Sequence, residues 1–162
     1  MRGENGQIYV SWEEFDKLST KLAEKIKSDN IEFNGIVSIA RGGLVVGRVL
    51  SDKLDLPLFT VHTKRYEIGN NHTTKSVASG VITGNRELSG NVLVVDDLTN
   101  TGMTLEKVIS KLKRMEEVKL IKSATIFNKS KSKFKPNYFV KNTDKWIVFP
   151  YETTELRKNK HT

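Results

Sequence analysis

The sequence predicts an α/β protein with a mainly parallel central sheet flanked by helices. Three observations carry that prediction. Short apolar runs rich in β-branched residues alternate with stretches of helical periodicity. Two of these runs, 35-GIVSIA-40 and 91-NVLVVD-96, stop at glycine or acidic turns that feed directly into a helical segment. The chain of 162 residues is 37% hydrophobic and has no internal repeat, low-complexity segment or linker to divide it, so a single domain over residues 1–162 is expected.

The elements follow in order. Ser11 and Glu14 form a capping box, and Trp12, Phe15, Leu18, Leu22 and Ile26 then recur at helical spacing, so the first long element is an amphipathic helix. The run 35-GIVSIA-40 reads as a strand that breaks at Arg41-Gly42-Gly43, and 44-LVVGRVLSDKL-54 reads as a buried helix. Residues 57-PLFTVH-62 form another strand. The segment 63–76 is polar without a sustained period and is expected as a long loop, with 77-VASGVI-82 as a strand leading out of it. After 91-NVLVVD-96, the residues Leu105, Val108, Ile109, Leu112 and Met115 mark a second amphipathic helix beyond the Gly102 turn. Strands are expected over 120–128 and 137–141, and 146-WIVFPYE-152 is a short aromatic segment interrupted by proline.

Composition narrows the chemistry. The absence of cysteine excludes disulfides, thiolate metal sites and a cysteine nucleophile. The three histidines, His62, His72 and His161, lack metal-ligand spacing, which leaves carboxylate-bound magnesium as the open metal chemistry. No apolar run reaches the roughly 18–20 residues of a membrane span, and no apolar leader opens the chain, so a cytoplasmic protein with no membrane partner is expected. The net charge of +8 favours anionic partners, with much of the excess in 129-KSKSKFK-135 and the tail 157-RKNKHT-162. Such segments are ordinarily solvated, and apart from Phe134 they lack the aromatics of a nucleic-acid stacking platform.

One stretch carries most of the chemistry, 91-NVLVVDDLTNTGMTL-105. Asp96 and Asp97 fall at the carboxyl end of a strand, where ligands bind in parallel sheets. Adjacent carboxylates on a strand end point apart, so they suit sugar hydroxyls or a hydrated magnesium ion. The loop Thr99, Asn100, Thr101, Gly102, Met103, Thr104 brings backbone N–H groups, hydroxyls and a helix N-terminus together, which is an anion site. Acids for a diol and metal beside donors for a phosphate describe a ribose 5-phosphate pocket.

This stretch strongly resembles the signature of the type I phosphoribosyltransferases: a hydrophobic strand, two acids, two residues, usually Asp, then Thr-Gly-x-Thr. A second match is 38-SIARGGLVVG-47, similar to the pyrophosphate-binding turn of the xanthine-guanine and hypoxanthine (6-oxopurine) branch. The third is Lys129 after the strand TIFN, followed by WIVFPYE, which resembles the base-binding hood. Together the matches run from about residue 11 to 152.

The resemblance implies a type I phosphoribosyltransferase-like fold with a small C-terminal hood, formed by about 129–152 with the N-terminal segment, and a basic tail over 155–162. It implies transfer of phosphoribosyl from phosphoribosyl pyrophosphate (PRPP) to a 6-oxopurine with Mg2+, giving a nucleoside monophosphate in purine salvage, by a homodimer or homotetramer. Asp96 and Asp97 would hold metal and ribose, and residues 99–104 the 5-phosphate. Ala40, Arg41, Gly42 and Lys64 would hold pyrophosphate, with the Ala40-Arg41 peptide cis. Lys129, Trp146 and Ile147 would bind the base. Taken alone, Trp146 reads as a core residue and Lys129 as a solvated one, but a lysine there can donate to a 6-oxo group and would repel a 6-amino group. Arg41, Asp97 and the residue at 100 would carry catalysis, and the segment 63–76 with Lys64, Arg65 and Lys75 would close over the site.

The sequence departs from that branch at Asn100, where an aspartate usually accepts the proton from N7 of the base. An amide cannot take it. Three readings follow: solvent accepts the proton, Asn100 donates to an unprotonated N7 of another tautomer, or the fold has lost catalysis and binds nucleotide as a regulator, with the basic tail touching nucleic acid. A phosphoribosyltransferase acting on a non-purine base is a further alternative.

Overall fold

The computed structural model describes residues 2–4, 6–68, 73–77 and 82–152, with side chains over 6–63 and 82–152. In chain order the elements are β1 (Arg2–Glu4), β2 (Gln7–Tyr9), α1 (Trp12–Lys27), β3 (Gly35–Ala40), α2 (Gly42–Leu54), β4 (Leu58–His62), β5 (Lys64–Ile68), β6 (Thr73–Val77), β7 (Gly90–Thr99), α3 (Met103–Leu112), β8 (Val118–Asn128), β9 (Tyr138–Asn142) and β10 (Trp146–Val148). Five strands form the central sheet in the order β4-β3-β7-β8-β9, every pair parallel. The mainly parallel sheet flanked by helices is therefore as the sequence predicts.

The period-2 geometry of strands sorts the core into two layers. Ile36, Leu93 and Val95 point to one face, where they bury Phe15, Leu22, Ile26, Val46 and Leu50 of α1 and α2. Their neighbours Val37, Val92 and Val94 point to the other and meet Leu105, Val108 and Leu112 of α3. Helix α1 starts where its capping box places it: Ser11 Oγ accepts the Glu14 N–H at 3.2 Å. Its first apolar residue behaves differently, because Trp12 is 59% exposed and meets Phe15 edge-on, with ring centroids 5.9 Å apart, and Tyr151 at a tilt, with centroids 6.3 Å apart.

One expectation needs correction. Within 63–76 the chain is not a continuous loop: β5 and β6 pair antiparallel, from Lys64↔Val77 to Ile68↔Thr73. A hairpin satisfies its own backbone donors and acceptors without an apolar face, which is why hydrophobic periodicity gave no sign of it. Most of the strand expected over 77–82 lies outside the described residues. Val77 ends β6, residues 78–81 lie outside the described residues, and Ile82 is not in a strand, although Thr83 makes an antiparallel bridge to Thr60.

A second, small sheet joins the chain's two halves. β1 pairs antiparallel with β2, and β2 pairs parallel with β10, in register from Gln7↔Trp146 to Tyr9↔Val148. The Val10 N–H donates to Val148 O at 2.9 Å and continues the ladder. The N-terminal segment thus fixes the backbone that carries Trp146 and Ile147. Among the described residues no helix is long and apolar enough to cross a membrane.

Candidate active site

The carboxyl ends of β3, β7 and β8 open into one cavity of about 900 Å³, closed on its far side by residues 144–152. The turn after β3 supplies Ala40, Arg41 and Gly42, and the Ala40-Arg41 peptide is cis, as expected. Close packing places this turn against β7. A Cβ on Gly42 would overlap the Asp97 carboxylate, and one on Gly43 would lie 2.7 Å from Val95 O. Only hydrogen at both positions lets the start of α2 rest on the strand end, so Arg41 and the two aspartates share one wall.

Asp96 and Asp97 both line the cavity, and the Asp97 N–H donates to Asp96 Oδ1 at 3.0 Å. Burial pushes the Asp97 carboxyl up to about 6, with the Glu152 charge adding to the rise, while hydrogen bonds from Tyr151 and from backbone N–H groups oppose it. Beyond them the chain reaches α3 through Gly102 at φ 84, a left-handed turn that suits glycine. The N-terminal turn of α3 leaves backbone N–H groups without intrahelical partners, and Asn100 and Thr104 from this loop line the cavity.

Not every expected residue reaches it. The Thr99 side chain is buried, and its hydroxyl donates to Thr125 Oγ1 at 3.3 Å, so that side chain fastens β7 to β8. Thr101 is exposed, its Oγ1 accepting the Met103 N–H at the long distance of 3.5 Å, and Gly102 and the exposed Met103 also lie outside the cavity lining. Lys64 sits in β5, with its side chain outside the described residues, as are those of Arg65 and Lys75. The tail 155–162 is also outside them.

The same cavity is also lined by Lys129, Trp146 and Ile147. Lys129 is buried, at 6% exposure. Its ammonium donates to the Lys145 carbonyl, and burial lowers its proton affinity, which Asp144 partly restores and Lys131 lowers further. Trp146 is 64% exposed, unlike a core tryptophan, and lines the cavity. Ile147 is buried beside it.

Tyr151 was not singled out from the sequence, yet its hydroxyl donates to Asp97 Oδ2 at 2.9 Å across 54 positions of chain. Its ring stacks on Phe149, with centroids 5.1 Å apart and planes 9° from parallel. Lys131, Asp144 and Glu152 are further charged lining residues beyond those the motifs pick out. The sequence clue was the PYE that ends the hood segment, but only the fold brings it to Asp97.

The donor chemistry also bears on metal. Among the described residues no group of three or more His, Cys, Asp or Glu side chains could hold a metal ion. Two adjacent carboxylates give hard oxygen donors, which suit magnesium completed by substrate oxygens and water, the usual coordination of that ion.

The family model described as phosphoribosyl transferase domain matches residues 6–157. The chain belongs to that family. A purine phosphoribosyltransferase from Pyrococcus horikoshii superposes with a TM-score of 0.77 at 35% identity, covering 90% of this chain and 94% of that one. A xanthine-guanine-hypoxanthine phosphoribosyltransferase from Helicobacter pylori superposes at 0.76 with 25% identity, covering 96% and 99%. Among sequences, a xanthine-guanine phosphoribosyltransferase from Gluconobacter oxydans is 28% identical over 152 residues, 91% of this chain and 85% of that one. With this kinship over nearly its whole length, the chain is an enzyme of the purine phosphoribosyltransferase family.

Proposed function

We propose that the protein transfers the phosphoribosyl group of PRPP to a 6-oxopurine, releasing pyrophosphate and a nucleoside 5'-monophosphate. The observation that carries the reading is the single cavity: Arg41, the two aspartates and the start of α3 stand at one end, and Lys129 with Trp146 at the other. A sugar phosphate with a diphosphate leaving group matches the first set, and a flat base with an oxygen acceptor matches the second.

In this reading residues 1–162 act as one domain, and 129–152 with the N-terminal strands close the base end as a hood. The start of α3 and its preceding loop anchor the 5-phosphate, mainly through backbone N–H groups and Thr104, since the Thr99 hydroxyl is engaged elsewhere. Asp96 and Asp97 hold the ribose hydroxyls. Arg41 faces the diphosphate and stabilises the charge that develops on it. Asp96 and Asp97 would hold magnesium, which would supply further neutralisation of charge on the departing group. Lys129 donates to the 6-oxo oxygen and disfavours a 6-amino group, while Trp146 offers its face to the ring.

The C1–O bond to pyrophosphate breaks as a C1–N bond forms, and the base must lose a proton. Asn100 lines the cavity but its amide cannot accept that proton, so solvent takes it. Asn100 also favours a second reading, a protein that binds PRPP or nucleotide without turnover. The two separate in a release assay with magnesium and PRPP, offering guanine, xanthine, hypoxanthine and adenine in turn to the protein and to Asn100→Asp. Turnover of a 6-oxopurine and not of adenine by the unaltered protein is the expected result. The Asn100→Asp variant then gains up to about a hundredfold, the lower range of general-base catalysis. Activity in the variant alone would make the protein a binder with an intact pocket, and inactivity of both would overturn the transferase reading.

A further inference from the structure

We propose that Tyr151 is a positioning residue: its hydroxyl holds the Asp97 carboxylate in the orientation that receives PRPP, and its ring ties that carboxylate to the base end of the cavity. The inference rests on the transferase reading and deepens it.

Tyr151 comes from the segment that carries the base-end residues, whereas Asp97 ends β7, and the 2.9 Å bond from the phenol to Oδ2 joins them. The same oxygen is confined on another side by the backbone of Gly42, where a Cβ would overlap it. Oδ2 therefore lies between a hydroxyl donor and a side-chain-free turn, and the carboxylate has little freedom to rotate.

The position of the hydroxyl is itself fixed. The Tyr151 ring stacks on Phe149 and meets Phe15 edge-on at 5.8 Å. The turn beneath it is closed twice, by Phe149 N–H to Glu152 Oε2 at 2.9 Å and by Glu152 N–H to Phe149 O at 3.0 Å. A ring alone would satisfy this packing. The hydroxyl adds nothing to the aromatic cluster, and among the described residues its hydrogen-bond partner is Asp97.

The test follows from that separation of ring and hydroxyl. Binding of PRPP with magnesium is measured by titration calorimetry for the unaltered protein, Tyr151→Phe and Tyr151→Leu, together with KM values for PRPP and base and a melting curve. Tyr151→Phe keeps the ring, so its melting temperature and base KM should stay near those of the unaltered protein. Its PRPP affinity should fall about tenfold or more, the loss expected when a hydrogen bond to a charged group is removed. Tyr151→Leu, which loses ring and hydroxyl, should weaken base and PRPP together. PRPP affinity in Tyr151→Phe within about twofold of the unaltered protein would overturn the inference, as would an equal loss for base and PRPP, which is the signature of packing alone. Failure of the unaltered protein to bind PRPP would remove the transferase reading, and this inference with it, a result distinct from the other two.

Discussion

The two ends of the cavity are built in opposite ways. The acidic end is mostly local: apart from Arg41 and its turn after β3, its residues Asp96, Asp97, Asn100 and Thr104 fall within nine consecutive residues that finish one strand and begin one helix. The base end is assembled. Lys129 follows β8, its ammonium is held by the Lys145 carbonyl, Trp146 begins a strand that needs β2 for pairing, and Tyr151 reaches back to Asp97. A site written in one stretch keeps its meaning in sequence, whereas a site assembled from separated pieces acquires it only when the chain folds. The difference also predicts how the ends respond to change, since the local end depends on charge and the assembled end on packing and hydrogen bonds.

The sharpest test of the charge-dependent end is Asp97→Asn. The substitution keeps shape and leaves an oxygen for the Tyr151 hydroxyl, so the fold should be retained. It removes the negative charge that the proposed reaction uses for the sugar and metal. With kcat/KM for PRPP as the readout, a fall of about a hundredfold or more is expected, the range seen when a preorganised electrostatic group is removed. Retained activity would move the chemistry away from this carboxylate and erase the contrast between the ends.

At the assembled end, Lys129→Met keeps a long apolar stem while deleting the buried ammonium. If the donor reads a 6-oxo group, kcat/KM for the 6-oxopurine should drop about 10- to 100-fold, with KM for PRPP little changed, because a charge-assisted hydrogen bond is lost. Discrimination against adenine should relax at the same time. An equal effect on both substrates would mean that Lys129 supports the loop through the Lys145 carbonyl without reading the base.

How much was legible follows the same division. The five parallel strands and three helices were readable because burial on both faces of β3 and β7 demands continuous apolar residues, and the helices leave their period in α1 and α3. The hairpin β5–β6 was hidden because its pairing rests on backbone hydrogen bonds in a polar stretch. Strands β1 and β2 were missed for a related reason: at three residues each they are too short to show alternation. Among site residues, the phosphate loop was overread at Thr99, whose strand position turns its hydroxyl inward to Thr125, a choice of face that a motif does not state. Tyr151 was underread because its partner is 54 residues away in sequence.

The smallest effect on stability, and the cleanest separation of binding from folding, is expected at Trp146. An isolated tryptophan normally sits in a core, where replacement by alanine costs about 3–5 kcal/mol. Here the ring is 64% exposed, and its strand is held by backbone pairing with Gln7. Trp146→Ala should therefore change unfolding free energy by no more than about 0.5 kcal/mol, as surface substitutions do. Its cost should appear in KM for the base, raised about 5- to 100-fold if a ring–base stack of about 1–3 kcal/mol is lost. Denaturant melts and base saturation curves on one preparation read both quantities. A large loss of stability with an unchanged base KM would return Trp146 to a packing role, and the assembled end would then lack the flat face that the proposed purine requires.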